Sequence, residues 1–124
     1  MLTDLRREPT RRMTEARADQ RAARRAARHE HAAIDEAGLV AARCADRLLD
    51  AAQDVGSVRW IAYFEPMPDR LRDEEPGALR MTATRCRAAY GVKDSVRDVL
   101  PAVVTEPFLD AIDRLIRELN RSRG

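Results

Sequence analysis

The chain has 124 residues, about the length of one domain, and a net charge of only +2, so its overall charge singles out neither an anionic nor a cationic partner. It contains no apolar run near the roughly 20 residues that cross a bilayer, and its N-terminus lacks the apolar segment of a secretory signal peptide. We therefore expect a cytoplasmic protein without membrane contact.

Alanine accounts for much of the 44% hydrophobic content, because 21 of the 124 residues are alanine. Within residues 14–33 no apolar residue is larger than alanine, so residues 34–120 must supply nearly all of the core. A domain of fewer than about 100 residues is marginally stable unless it packs well or associates. We therefore expect a homo-oligomer, most simply a dimer.

Composition and charge divide the chain into segments of different character. The first 31 residues carry nine arginines and five acids, whereas residues 32–79 carry five basic and ten acidic side chains. The predicted segments are a flexible N-terminus (1–9), a basic Ala/Arg helical extension (10–33), a compact helical domain (34–120) and a flexible tail (121–124). Their opposite charges favour contact between the extension and the middle of this chain or of its dimer partner.

One long helix, or two helices meeting at Gly38, is predicted over residues 10–55. This run has no proline, is rich in strong helix formers, and starts after Pro9 with Thr10 as a suitable N-cap. A continuous helix of that length would measure about 70 Å, so we expect it to project from the domain or to break near Gly38. Its a and d heptad positions form an unbroken seam: Met13, Ala16, Gln20, Ala23, Ala27, Glu30, Ile34, Ala37, Ala41, Cys44, Leu48, Ala51 and Val55. This seam indicates a coiled coil between chains, although so much alanine also produces a heptad by chance.

The rest of the chain predicts shorter helices separated by prolines. Gly56 and Ser57 suit a helix end and the next N-cap, and Gly91 suits a left-handed helix end. A short helix after Ser57 carries Trp60, Tyr63 and Phe64, although a strand is the alternative for this segment. Further predicted helices cover residues 68–73 and 76–90, a short segment after Asp94 or Ser95, and a last helix capped by Thr105 with Phe108, Ile112, Leu115, Ile116 and Leu119 on one face. We therefore predict an all-α fold, a small bundle of about five helices with a long N-terminal helix.

A cluster of large side chains follows the long helix: Trp60, Tyr63, Phe64 and Met67. Helical spacing places the three aromatic rings on one face. They form either the core around which the helices pack or the lining of a ligand pocket with Arg59 or Arg70 as polar anchors. Because the chain has only five aromatic residues, we favour the core.

No set of residues for catalysis or metal binding is complete. His31 and Asp35 share a helix face, but one imidazole and one carboxylate fall short of the three protein ligands typical of catalytic zinc. The only other histidine, His29, projects to nearly the opposite side of a helix from His31. Neither Cys44 nor Cys86 lies in a nucleophile motif, and we expect both to be free thiols. We therefore predict no enzyme activity, no cofactor and no metal site.

Arginines of the basic extension form the clearest surface feature. At helical spacing, five of them occupy an arc of about 100° beside the alanine seam: Arg17, Arg21, Arg24, Arg25 and Arg28. Our leading hypothesis is a non-enzymatic interaction protein, homodimeric, that uses the extension to contact a protein partner. The alternative is a small nucleic-acid-binding or regulatory accessory protein whose five arginines follow phosphates, although Glu15 and Asp19 occupy other faces.

Overall fold

The fold is a bundle of α-helices. The structure is a computed structural model that describes residues 2–122, with side chains from residue 15 onward. Within residues 2–122 there are six α-helices and a short 3-10 helix, Val96–Asp98, and no strand. The α-helices are α1 (Leu2–His29), α2 (Ala32–Val55), α3 (Val58–Phe64), α4 (Met67–Asp73), α5 (Pro76–Ala88) and α6 (Ala102–Arg121). The predicted all-α bundle is confirmed.

The core lies chiefly between α2 and α6, which make the most extensive contact in the bundle. From the predicted seam, Ile34, Ala37, Ala41 and Leu48 are all buried there. They pack in one cluster with the apolar face of α6, including Phe108. Much of the second half of the seam is therefore filled by the chain's own core and is not available to another chain.

α5 packs on α6 in the antiparallel direction. Arg80, near the start of α5, donates to Oδ1 of Asn120 (2.6 Å) near the end of α6. Tyr90, just after α5, donates to the carbonyl of Thr105 (2.5 Å) near the start of α6. α4 in turn contacts α1, α2 and α5, so these three helices meet around it. α4 therefore lies at the centre of the candidate site, in contact with the helices that contribute its residues.

Several predicted helix ends are present with the expected chemistry. Gly56 ends α2 in the left-handed conformation (φ 74°). The Ser57 hydroxyl accepts a hydrogen bond from the backbone N–H of Trp60 (3.4 Å) and caps α3. Ser95 caps the 3-10 helix in a reciprocal capping box with Asp98. These ends were predictable because each depends on residues within three positions of one another.

The last two helices depart from prediction at their ends. α6 begins at Ala102, so Thr105 lies inside the helix and is not its N-cap. The reason is that the carbonyl of Pro101, which is extended, accepts from the N–H groups of both Val104 and Thr105 (3.1 Å each) and starts the helix earlier. The predicted left-handed cap at Gly91 is also wrong, because Asp94 carries the positive φ of that loop (54°).

α1 differs from prediction at both ends. It begins at Leu2, so the helix start predicted at Thr10 is wrong and residues 2–9 belong to the helix. α1 ends at His29, so the chain breaks before α2 and not at Gly38. Residues 123 and 124 of the predicted tail lie outside the described residues.

Candidate functional site

The break between α1 and α2 occurs at Glu30 and His31, where the sequence has neither glycine nor proline. His31 occupies the N-cap of α2 without a capping hydrogen bond from its side chain, so local chemistry does little to stabilise this bend. The N–H of His31 donates to the carbonyl of Arg28 (2.9 Å), closing a tight turn. The side chain that holds the bend is that of Arg28.

Arg28 is buried, with only 1% of its surface exposed. Its Nη1 donates to the carbonyl oxygens of Leu71 (2.8 Å) and Glu74 (3.1 Å), at the end of α4. Its Nε donates to Oδ1 of Asp35 (3.2 Å), and its Nη2 to the Asp35 carbonyl (3.3 Å). Carbonyl groups in the last turn of a helix lack helical partners and favour a cation. One guanidinium therefore ties α1 to both α2 and α4.

Burial lowers the pKa of the Arg28 guanidinium, and the nearby Asp35 carboxylate opposes that shift. An arginine stays charged at neutral pH even when its pKa is lowered, because its ordinary value lies so far above 7. A buried charge of this kind is tolerated only when its donors are satisfied. We call Arg28, Asp35 and the two α4 carbonyl groups the Arg28 anchor.

Gly38 makes room for the Arg28 anchor. It lies inside α2 and is buried, so the break predicted there is wrong. A Cβ at this position would collide with the Arg28 guanidinium and lie 2.9 Å from the carbonyl oxygen of Leu71. The glycine is needed for close approach of three helices and not for an unusual backbone angle. The sequence left a break at Gly38 as one of two alternatives because glycine is a poor helix former.

The structure gives the five arginines of the predicted stripe three different environments. Arg17, Arg21 and Arg24 are exposed, and their side chains make no ion pair or hydrogen bond with other residues whose side chains are described. Arg25 is exposed and forms an ion pair with Asp73 (Nε to Oδ1, 3.5 Å). Arg28 is removed from the surface altogether by its burial in the anchor. Among the described side chains, the first three arginines are thus exposed without an ion-pair or hydrogen-bond partner.

The alanine seam of α1 faces solvent. Ala16, Gln20 and Ala23 are exposed, and Ala27 is half-buried next to the anchor. All residues from 15 to 26 are exposed, although they form three turns of continuous helix. α1 thus contacts the bundle through its C-terminal end and extends away from it.

The aromatic cluster belongs to the core. Trp60, Phe64 and Met67 are at most 2% exposed, and Tyr63 is half-buried. The ring of Phe64 meets that of Phe108 edge to face, with 5.6 Å between centroids. The Tyr63 hydroxyl donates to the Arg85 carbonyl. Of the two predicted polar anchors, Arg59 lies over the outside of the Trp60 ring (4.5 Å), and Arg70 lies on the surface.

Metal-binding and nucleophilic groups remain dispersed. Among the described residues, no three His, Cys, Asp or Glu side chains lie close enough to hold a metal ion. Asp35 pairs with Arg28, and His29 reaches it only at 4.0 Å. Cys44 and Cys86 are free thiols. Burial raises the pKa of Cys86 to about 12, so this thiol stays protonated at neutral pH and is a poor nucleophile.

Two adjoining grooves lie beside α4 and were not predicted from the sequence. The groove between α1 and α4 has a volume of about 340 Å³ and is lined by Arg21, Arg24, Asp69, Arg70, Asp73 and Glu74. The groove between α4 and α5 has a volume of about 290 Å³ and is lined by Arg70, Glu74, Ala78, Met81, Thr82 and Arg85. Arg70 and Glu74 line both grooves, so the two grooves adjoin at these residues.

The chain matches no protein family, no curated protein and no solved structure. Among the described residues, none of the helices combines the length and apolar character needed to cross a membrane.

Proposed function

We propose that this is a non-enzymatic interaction protein that forms a homodimer through α1. The observation that carries the proposal is the exposure of residues 15–26 on a helix whose other end is held by a buried arginine. A helix without apolar partners is marginal in water when isolated, so packing against another helix would stabilise it. The anchor would give two such helices a defined direction.

Small side chains on the exposed seam suit close approach of two helices. Ala16 and Ala23 occupy d positions, with Gln20 and Ala27 at a positions. Asp19 and Arg24 flank the seam on opposite sides, at positions that meet across a parallel coiled coil and would attract each other. Each alanine buries little area, so we expect a weak, concentration-dependent dimer.

The test is light scattering of the full chain over a range of micromolar concentrations. We expect a mass approaching twice the 14.0 kDa of one chain at the upper end. The double variant Ala16→Glu/Ala23→Glu should be monomeric, because it places carboxylates along the seam. The matched control Ala18→Glu/Ala22→Glu changes two exposed alanines on the opposite face and should remain dimeric. A monomeric wild-type protein, or equal loss in both variants, would contradict the proposal.

A second candidate, nucleic-acid binding, is favoured by the exposure of Arg17, Arg21 and Arg24, which have no ion-pair or hydrogen-bond partner among the side chains from residue 15 onward. Such side chains can neutralise phosphates and release counterions, which makes the affinity strongly salt-dependent. The triple variant Arg17→Gln/Arg21→Gln/Arg24→Gln should lose binding to a generic duplex. Binding that is unchanged in this variant would remove the candidate.

A further inference from the structure

The two adjoining grooves beside α4 gather four arginines from three helices. Arg21 and Arg24 lie on α1, Arg70 on α4 and Arg85 on α5. All four are exposed, and in the part of the chain with described side chains none of them makes a side-chain hydrogen bond or an ion pair. We call the surface defined by these four arginines the basic groove.

Acidic residues in the basic groove are already engaged by other groups of the chain. Asp73 pairs with Arg25 (3.5 Å), and Asp69 pairs with Arg72 (3.2 Å). Glu74 accepts a hydrogen bond from the hydroxyl of Thr82. Among the described side chains the four arginines thus form no ion pair, and four arginines against three carboxylates give the lining a net positive charge.

We infer that the basic groove binds the phosphate backbone of nucleic acid. Guanidinium groups present a planar set of donors that match phosphate oxygens. No aromatic side chain lines either groove, so bases find no aromatic ring there to stack on. Contacts to phosphates position a protein on nucleic acid but carry no sequence information.

An acidic protein is the other class of polyanion, and the lining of the groove disfavours it. Only Ala78 and Met81 are apolar among its lining residues. The centres of protein–protein interfaces are depleted of charged residues, whereas protein–nucleic acid interfaces are polar and positively charged. The lining of the basic groove is polar and carries four arginines against three carboxylates, which is closer to the second composition.

The Arg28 anchor contributes to the groove by positioning. Arg24 and Arg21 lie one and two turns before Arg28, respectively, so the anchor holds them beside α4. This inference deepens the second candidate function and rests on it, but it does not depend on dimerisation. It assigns phosphate contacts to Arg70 and Arg85, which lie outside the predicted stripe.

The experiment measures anisotropy of a fluorescent duplex of about 20 base pairs, and of a matching single strand, during salt titration of the full chain. Wild-type affinity should fall steeply with salt. The variant Arg70→Gln/Arg85→Gln should bind more weakly and reduce the slope of log affinity against log salt by about 2, one for each lost phosphate contact. Far-UV circular dichroism would show that both proteins are equally helical.

The matched control is Arg43→Gln/Arg47→Gln on α2. Both of these arginines are exposed and make no ion pair among the described side chains, so net charge changes equally while the groove stays intact. The control should retain the wild-type slope. If the two double variants reduce the affinity and the salt slope equally, the assignment of phosphate contacts to the groove is wrong, because binding would then follow net charge alone.

Two further outcomes separate this inference from the function on which it rests. If Arg17→Gln/Arg21→Gln/Arg24→Gln abolishes binding while Arg70→Gln/Arg85→Gln leaves it unchanged, nucleic-acid binding stands and the groove is overturned. If the wild-type protein binds neither probe, both fail. Polyglutamate that displaces the duplex as well as unlabelled duplex does would also overturn the inference, because the groove would then select any polyanion.

Discussion

α1 and α6 are both long helices, but they join the bundle in opposite ways. α6 buries seven residues along its 20-residue length, of which six are apolar. α1, over its described side chains, buries only Arg28. The attachment of α6 is thus distributed over many apolar contacts, whereas that of α1 is concentrated in one guanidinium.

This difference follows from the two kinds of interaction. Apolar burial is non-directional and roughly proportional to area, so it needs many residues on one helix face. A buried arginine with satisfied donors is directional, and a single residue is enough to define an angle between helices. The first kind of attachment leaves a periodic pattern in the sequence, and the second leaves none.

The largest effect is expected in α6. Phe108→Ala should lower the free energy of unfolding by about 4 kcal/mol, because it removes a fully buried ring that packs on Phe64 and leaves a cavity. Urea unfolding followed by Trp60 fluorescence measures the change. Val103→Ala, at an exposed site of the same helix, is the control and should change stability by less than about 0.5 kcal/mol. A small loss for Phe108→Ala would contradict the distributed apolar attachment.

Arg28→Ala should cost about 3 kcal/mol, because it leaves the Leu71 and Glu74 carbonyl groups and the Asp35 carboxylate without their partner. Arg28→Lys should not restore the loss, since one ammonium lacks the planar fork that reaches both helices. Urea unfolding measures stability, and amide exchange near the end of α4 reports the local loss. Arg25→Ala breaks an exposed ion pair and should cost less than about 1 kcal/mol. Equal costs for Arg25 and Arg28 would show that the anchor has no special role.

Gly38→Ala should destabilise the protein by about 2 kcal/mol, through overpacking against the Arg28 guanidinium and the Leu71 carbonyl. The direction of this change in the free energy of unfolding is informative, because Gly→Ala at an exposed helix position stabilises by about 1 kcal/mol. In an Arg28→Ala background the cost should shrink, as residues in contact are not additive. A stabilising effect in the wild-type background would mean that α2 does not approach the anchor this closely.

Ala22→Gly is expected to have the smallest effect on the bundle. Ala22 is exposed on α1, where glycine costs about 1 kcal/mol of local helix stability. The helical circular dichroism signal should decrease slightly, while the free energy of unfolding of the bundle in urea should stay within about 0.5 kcal/mol of wild type. Ala41→Gly changes a buried position in α2 and is the contrasting variant, which should clearly lower the urea midpoint of unfolding. A midpoint shift from Ala22→Gly as large as that from Ala41→Gly would show that α1 and the bundle unfold together.

Local patterns predicted most of the helices. The apolar spacing of α6, the glycine after α2 and the serine caps all act within a few residues, so a sequence contains them completely. The errors at Thr105, Gly91 and Gly38 arose because each residue has the propensity of a helix end. The Pro101 carbonyl starts α6 earlier, Asp94 takes the positive φ expected of Gly91, and the close approach of three helices keeps Gly38 inside α2.

The candidate site was predictable only in part. Arg17, Arg21 and Arg24 are exposed where helical spacing placed them. The burial of Arg28 had no local signal, because its carbonyl partners lie 43 and 46 residues further along the chain. The same holds for Arg70 and Arg85, which join the basic groove only because α4 and α5 pack side by side.

Composition and short-range periodicity were enough to predict the helical class, several helix ends and the lack of large apolar residues within residues 14–33. The choice of Arg28 as the anchor, the place of Gly38 inside α2 and the set of charges beside α4 depend on the packing of helices that are distant in sequence. Hydrogen bonds and ion pairs act between atoms that folding brings together, at separations that local sequence patterns do not encode.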